Sequence, residues 1–147
     1  MVCLGNICRS PLAEGILRSK LPSDEYRIDS AGTSNYHSGD LPDERSIAVA
    51  RKYGIDITYQ RSRQFIVSDF DHFDLIYAMD TTNYDNILQL ARNKEDELKV
   101  KLILNELPDS ELISVPDPYY GGRSGFEHVF QLLNDACDRI AEKVYKK

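Results

Sequence analysis

The chain has 147 residues, 41% of them hydrophobic and 29% charged, which suits one packed domain over residues 1–147, large enough to bury about two thirds of its unfolded surface. Its net charge of −6, from 24 acidic and 18 basic residues, lacks the overall positive field of a nucleic-acid binder, although a small basic pocket remains compatible with it. No apolar run approaches the roughly 20 residues of a membrane span and no signal-peptide series opens the chain, so a cytoplasmic location without membrane insertion is expected.

In chain order, short apolar runs alternate with helix patterns, which suggests an α/β fold with a parallel sheet. Cys3 follows an initial strand. Ser10 and Pro11 read as N-cap and first residue of a helix through about Lys20, with Leu12, Ala13, Ile16 and Leu17 on its buried face and Pro22 ending it. Tyr26–Ser30 reads as a second strand. A helix is expected from about Asp43 to Tyr53, stopped by Gly54. Residues 75–79 form a continuous apolar run, as in a strand covered on both faces. Asp80 then caps a helix to about Ala91, and Leu102–Leu104 makes the next strand. The last helix opens on an S-x-x-E capping box, Ser124 with Glu127. Phe126, Val129, Phe130, Leu133, Cys137, Ile140 and Val144 recur behind it at helical spacing.

The odd count of three cysteines argues against a disulfide scaffold, and Cys137 belongs to the apolar stripe of the last helix. His37, His72 and His128 are scattered, and no second close pair joins Cys3 and Cys8 in a zinc-ligand spacing, so neither metal nor cofactor is expected.

The chemistry concentrates in Cys3-Leu4-Gly5-Asn6-Ile7-Cys8-Arg9-Ser10-Pro11, a loop between a strand and a helix N-terminus. Such a helix end offers unpaired N–H groups and partial positive charge, which together bind phosphate. Gly5 lets the loop curl, and Asn6 tolerates a left-handed backbone. There is no lysine of the nucleotide-binding G-x-x-x-x-G-K-[ST] kind. Cysteine attacks as the thiolate, which helix N-termini and cations favour. Arg9 presents a planar fork suited to two phosphate oxygens, and Ser10 could donate its hydroxyl to the sulfur. The C-x5-R spacing alone would arise by accident about one time in five in a chain of this composition; the weight lies in the whole string.

This string resembles the phosphate-binding loop of the low-molecular-weight protein tyrosine phosphatases, V-C-x-G-N-I-C-R-S-P. Four further segments resemble blocks of that family in its order: residues 29–34, Pro42-Asp43-x-Arg45-Ser46, Ala78-Met79-Asp80 and Asp117-Pro118-Tyr119-Tyr120-Gly121. The resemblance spans essentially the full chain. It implies a central four-stranded parallel sheet with helices on both faces. It further implies metal-independent hydrolysis of phosphotyrosine and aryl phosphates through a phosphocysteine. Cys3 is then the nucleophile, Leu4 through Ser10 the phosphate cradle, and Arg9 the oxyanion clamp. Asp117 is the general acid that protonates the departing phenol. Tyr36, Tyr119 and Tyr120 are implied as aromatic walls of the substrate pocket, the last two also resembling positions phosphorylated in some relatives. Cys8 is implied as a redox partner that shields Cys3 from irreversible oxidation.

The expected partner is a tyrosine-phosphorylated protein, with a tyrosine kinase among the candidates, and the chain is expected to be a monomer or weak dimer. Three alternatives stay open at this point. A thiol-dependent arsenate reductase on the same fold would need relay cysteines on a mobile segment, and residues 9–136 contain none. A protein-arginine phosphatase has Thr at the place of Ile7 and Phe at that of Tyr119. A non-enzymatic anion-binding module would account for the cradle and Arg9, but not for Cys3 with Asp117. One departure stands out: only Met1 and Val2 precede Cys3, where relatives carry a longer strand, and an upstream start is expected.

Overall fold

A computed structural model describes residues 1–119 and 122–145. Four strands form one parallel sheet: β1 (Val2–Cys3), β2 (Ala31–Gly32), β3 (Ile76–Ala78) and β4 (Val100–Leu102), in the order β2-β1-β3-β4. The helices are α1 (Arg9–Lys20), α2 (Glu44–Lys52), α3 (Asp69–His72), α4 (Thr81–Leu88), α5 (Lys94–Lys99) and α6 (Arg123–Tyr145), and a 3₁₀ turn covers Ile103–Glu106.

Side-chain alternation along the strands divides the core in two. Cys3, Tyr77 and Met79 face one apolar layer built from α1, α2 and α6. Val2, Ile76 and Ala78 face the other, which contains Phe65, Phe70 of α3 and Ile87 of α4. The α/β fold with a four-stranded parallel sheet covered on both faces is therefore as the sequence led one to expect. α6 supplies the largest share of the first layer: Phe126, Val129, Phe130, Leu133, Cys137 and Ile140 are all buried. Cys137 is a core residue, as its place on the stripe indicates.

Several local expectations shift. Ser10 does not cap α1. The helix begins at Arg9 with Cys8 at the cap position and no side-chain cap, and the Ser10 hydroxyl is used by the loop instead. Pro11 is tolerated because first-turn amides have no helical acceptor. Leu21, extended before Pro22, ends the helix. β2 lies at Ala31–Gly32, not Tyr26–Ser30, because its ladder register is Val2 with Ala31 and Cys3 with Gly32. β4 lies two residues earlier than expected: Val100, Lys101 and Leu102 pair with β3, whereas Ile103 and Leu104 reach the core from the 3₁₀ turn. Apolarity alone could not distinguish those two ways of being buried. α3 and α5, of four and six residues, are too short to show a helical period and were not anticipated.

Caps at the remaining helices are mostly as read. The Asp43 carboxylate accepts from the Arg45 amide at 2.8 Å, and Gly54 at φ 77° terminates α2. Asp80 caps α4, accepting from the Asn83 amide at 2.7 Å. The capping box at α6 is different. The helix starts one residue earlier than Ser124, and the Glu127 carboxylate accepts from Lys52 and from the Tyr53 hydroxyl of the neighbouring helix.

Leu133 sits at the centre of the α6 stripe with no exposure, whereas Leu98 is 65% exposed. Leu133→Ala is expected to lower unfolding free energy in urea by about 2–5 kcal/mol and Leu98→Ala by less than about 0.5 kcal/mol. Equal effects would show that α6 does not carry the core.

Candidate active site

In this strand order the chain leaves β1 and β3 toward opposite sides of the sheet, which opens a crevice at their carboxyl ends. The loop after β1, residues 4–8, lies in that crevice with α1 behind it. Its backbone is held open by its surroundings. The Cys3 carbonyl accepts from the Thr33 amide at 2.9 Å and the Leu4 carbonyl from the Ser34 amide at 2.9 Å. The Gly5 carbonyl accepts from the Ser62 hydroxyl at 3.0 Å, the Ile7 carbonyl from the Asp43 amide at 2.8 Å, and the Cys8 carbonyl from the Ser46 hydroxyl at 3.2 Å. Because a trans peptide points its N–H opposite its C=O, five outward carbonyls turn the following five amides inward. The loop is thus a concave nest of donors at a helix N-terminus, an arrangement suited to an anion.

Cys3 lies in that nest. Its sulfur accepts from the Asn6 amide at 3.2 Å and lies 3.0 Å from the Ser10 hydroxyl oxygen. Asn6 determines which way that second bond runs. Its Nδ2 donates to Ser10 Oγ at 2.7 Å and to Ser30 Oγ at 3.0 Å, and its Oδ1 accepts from the Arg63 amide at 3.1 Å. Ser10 therefore accepts from Asn6 and has its own proton to donate, to the sulfur at 3.0 Å or to the more distant Ala31 carbonyl at 3.4 Å. Ser30 in turn donates to Glu14 at 2.8 Å; burial raises the pKa of that carboxyl, opposed by its hydrogen bonds from Ser30 and Tyr59. Asn6 is the one non-glycine residue at positive φ among the described residues, at 56°, as its place in the loop suggested. A second tight constraint was not foreseen: a Cβ on Gly32 would lie 2.8 Å from the Leu4 carbonyl oxygen, so only glycine lets β2 back onto the loop.

Arg9 is 3% exposed. Its Nη1 donates to Asp80 at 2.7 Å and to the Val115 carbonyl at 3.1 Å, and its Nη2 lies 3.7 Å from Asp117. Burial disfavours the charge, but Cys3, Asp80 and Asp117 outweigh it and raise the guanidinium pKa. The structure thereby brings Cys3, Asn6, Arg9, Ser10 and Asp117 together from both ends of the chain. Asp80, noticed in the sequence as a helix cap and within a family block, also anchors Arg9, a link visible only in three dimensions.

Asp117 is 40% exposed in its side chain, and its Oδ1 accepts from the Tyr119 amide at 3.0 Å. Tyr119 stands beside it, 40% exposed. Tyr36 is 88% exposed and forms no closed wall, although the neighbouring His37 ring packs on Gly5. Tyr120 lies outside the described residues. Leu4 is exposed at the loop surface, and Ile7 packs against the core. Cys8 is a buried free thiol whose pKa is pushed up to about 12 by burial, then by Asp43, Cys3 and Asp117. A cavity of about 560 Å³ opens at the opposite, amino end of the strands, lined by Met1, Tyr26, Ile28 and Phe73, and holds none of the loop residues. The convergent donors, not that cavity, mark the candidate site. Among the described residues no group of three His, Cys, Asp or Glu could hold a metal, and no helix is long and apolar enough to cross a membrane.

Comparison with known proteins agrees with this geometry. Residues 1–147 match the family described as low molecular weight phosphotyrosine protein phosphatase. The mouse protein of that name is 41% identical over 98% of this chain and 93% of its own length. YfkJ of Bacillus subtilis, a low molecular weight protein-tyrosine-phosphatase, is 39% identical over 99% of this chain and 94% of its own. A protein tyrosine phosphatase of Entamoeba histolytica, solved with Hepes in its active site, superposes with a TM-score of 0.92 at 38% identity, covering 99% and 94% of the two chains. With the same fold over its whole length and a donor nest closed around Cys3, the chain belongs to the low molecular weight phosphotyrosine protein phosphatase family.

Proposed function

We propose that the chain is a protein tyrosine phosphatase that hydrolyses phosphotyrosine and aryl phosphate monoesters in two steps, with Cys3 as nucleophile. The observation that carries this reading is the position of the Cys3 sulfur, within hydrogen-bond reach of the Asn6 amide and the Ser10 hydroxyl at the focus of the inward amides. The donors around the sulfur also surround the site where phosphoryl oxygens would lie.

In the first step the Cys3 thiolate attacks phosphorus in line. An S–P bond forms, the bond to the phenolic oxygen breaks, and the Asp117 carboxyl gives its proton to that oxygen. The loop amides and Arg9 hold the three equatorial oxygens, where the transition-state charge resides. In the second step the Asp117 carboxylate takes a proton from water, whose oxygen bonds to phosphorus as the S–P bond breaks. Inorganic phosphate leaves, and Ser10 donates to the regenerated thiolate. Ion pairing to Asp80 and the bond to Val115 hold Arg9 flat while leaving guanidinium N–H groups for phosphate.

Ile7 and Tyr119 support phosphotyrosine over phosphoarginine as substrate, and the buried position of Cys137 speaks against an arsenate-reducing thiol relay. Tyr119 is proposed as one wall of the pocket, with Tyr36 and Tyr120 as outer contacts. Substrates are phosphoproteins, with a tyrosine kinase among the candidates. A cytoplasmic location and a monomeric or weakly dimeric state belong to the same proposal, the first supported by three free cysteines. Cys8 is proposed as a protective partner: a Cys3 sulfenic acid formed by peroxide would condense with the Cys8 thiol, forming a disulfide and releasing water.

Cys3→Ser is expected to abolish hydrolysis of phosphotyrosine peptide. Asp117→Asn should lower kcat/KM on that substrate by about 10²–10⁴ and far less on dinitrophenyl phosphate, whose leaving group needs no proton. Full activity in Cys3→Ser, or faster turnover of phosphoarginine peptide than of phosphotyrosine peptide by wild type, would overturn the reading. Iodoacetamide at pH 7 should alkylate Cys3 first, because Cys8 and Cys137 both have their thiols pushed up to about 12 by burial. Peptide mapping that placed the first adduct on either of them would contradict the assignment. After peroxide treatment the same mapping should find a Cys3–Cys8 link, and sulfonation of Cys3 without one would remove the protective role.

A further inference from the structure

Resting on the phosphatase reading above, we propose that Arg45 is a positioning residue for the acid–base step, holding the Tyr119 ring and, through the Tyr119 amide, the Asp117 carboxyl beside the phosphate loop. Asp117 needs such an anchor. It lies between the exposed Pro116 and the buried Pro118, its side chain is 40% exposed, and its 3.7 Å separation from Arg9 is too long for a hydrogen bond. Its orientation is set within its own loop, by the 3.0 Å bond from the Tyr119 amide. Whatever holds Tyr119 therefore holds the acid.

Arg45 does so from α2. Its Nε donates to Asp43 Oδ1 at 3.0 Å and its Nη2 to Asp43 Oδ2 at 3.0 Å, a two-point fork that fixes the plane of the guanidinium. Asp43 is tied by its own amide to the Ile7 carbonyl of the phosphate loop at 2.8 Å. On its other side the guanidinium carbon lies 4.6 Å from the centre of the Phe126 ring and 5.4 Å from that of Tyr119. Both are within the range of cation–π attraction. Pro118, in the same segment, reaches α6 at Gly125, where a Cβ would lie 3.7 Å away. A continuous path thus runs from the phosphate loop through Asp43 and Arg45 to Tyr119 and Asp117. It references the acid to the cradle that holds phosphorus, and a small misplacement of a proton donor costs rate without costing binding.

A merely structural role, pinning α2 to α6 through Phe126, would slow all substrates alike. Leaving-group dependence separates the two. Arg45→Met keeps the apolar stem and removes the fork and the charge. Asp43→Asn keeps an N-cap oxygen and weakens the fork, and it decides the matter if Arg45→Met does not fold. On phosphotyrosine peptide, Arg45→Met is expected to lower kcat/KM about tenfold and Asp43→Asn about threefold. On dinitrophenyl phosphate both should change by less than about twofold. Added to Asp117→Asn, neither should lower kcat/KM further, because the group they position is already disabled. Equal losses on the two substrates, or losses that multiply in the double variants, would overturn the proposal. If Asp117→Asn shows the leaving-group dependence and the Arg45 and Asp43 variants do not, this inference alone fails. If Cys3→Ser remains active, the phosphatase reading fails with it.

Discussion

Arg9 brings a full positive charge to a place that is 3% exposed, and the architecture of the site is arranged around that charge. A buried guanidinium without partners would cost several kcal/mol. Here it is met by the Asp80 carboxylate from the end of β3, by the Val115 carbonyl, and at longer range by Asp117. Two chain segments, the one after β3 and the one that carries Val115 and Asp117, are thereby fastened to the first turn of α1. The same ties orient the planar fork, so that the phosphate contact proposed for it would need little further ordering of the side chain. The parallel sheet supplies the geometry: with β1 and β3 adjacent, their carboxyl ends place Arg9 and Asp80 together although 71 positions separate them.

Around this charge the loop is shaped by bonds on its outer side. The carbonyls of Cys3, Leu4, Gly5, Ile7 and Cys8 are taken by Thr33, Ser34, Ser62, Asp43 and Ser46, and the inward amides follow from peptide planarity. Asn6 turns the loop at positive φ and is retained there because its amide group meets Ser10, Ser30 and Arg63 with no donor or acceptor wasted. The buried polar network continues to Glu14, whose carboxyl is reached by Ser30 and Tyr59. The preorganised donors and the strained residue thus belong to one structure, held rigid before any substrate arrives.

Much of this was legible in the linear chain for an identifiable reason: the phosphate loop is local. Cys3, Gly5, Asn6, Arg9 and Ser10 lie within eight positions, and chemistry confined to one strand–loop–helix junction leaves a compact string. The long α6 stripe and the caps at Asp43 and Asp80 were readable too, because helical period and capping are short-range. Strand boundaries were less so. β2 and β4 were displaced because register depends on the partner strand, and apolar residues beside a ladder look like those within it. Ser10 illustrates the limit most directly. Its sequence position favours a cap, yet its hydroxyl is claimed by Asn6 and Cys3.

By itself the sequence determined which reactive and polar residues crowd into one strand–loop–helix junction, and the alternation of strands and helices, since each is written in residues a few positions apart. Only the tertiary structure decided what holds them: Asp80 against Arg9, Gly32 behind Leu4, Ser30 and Arg63 on Asn6, and Arg45 beneath Tyr119. Those contacts join residues tens of positions apart, and nothing in local composition signals them. The physical reason is that a charge or an amide turned into the interior must find a partner wherever the fold brings one.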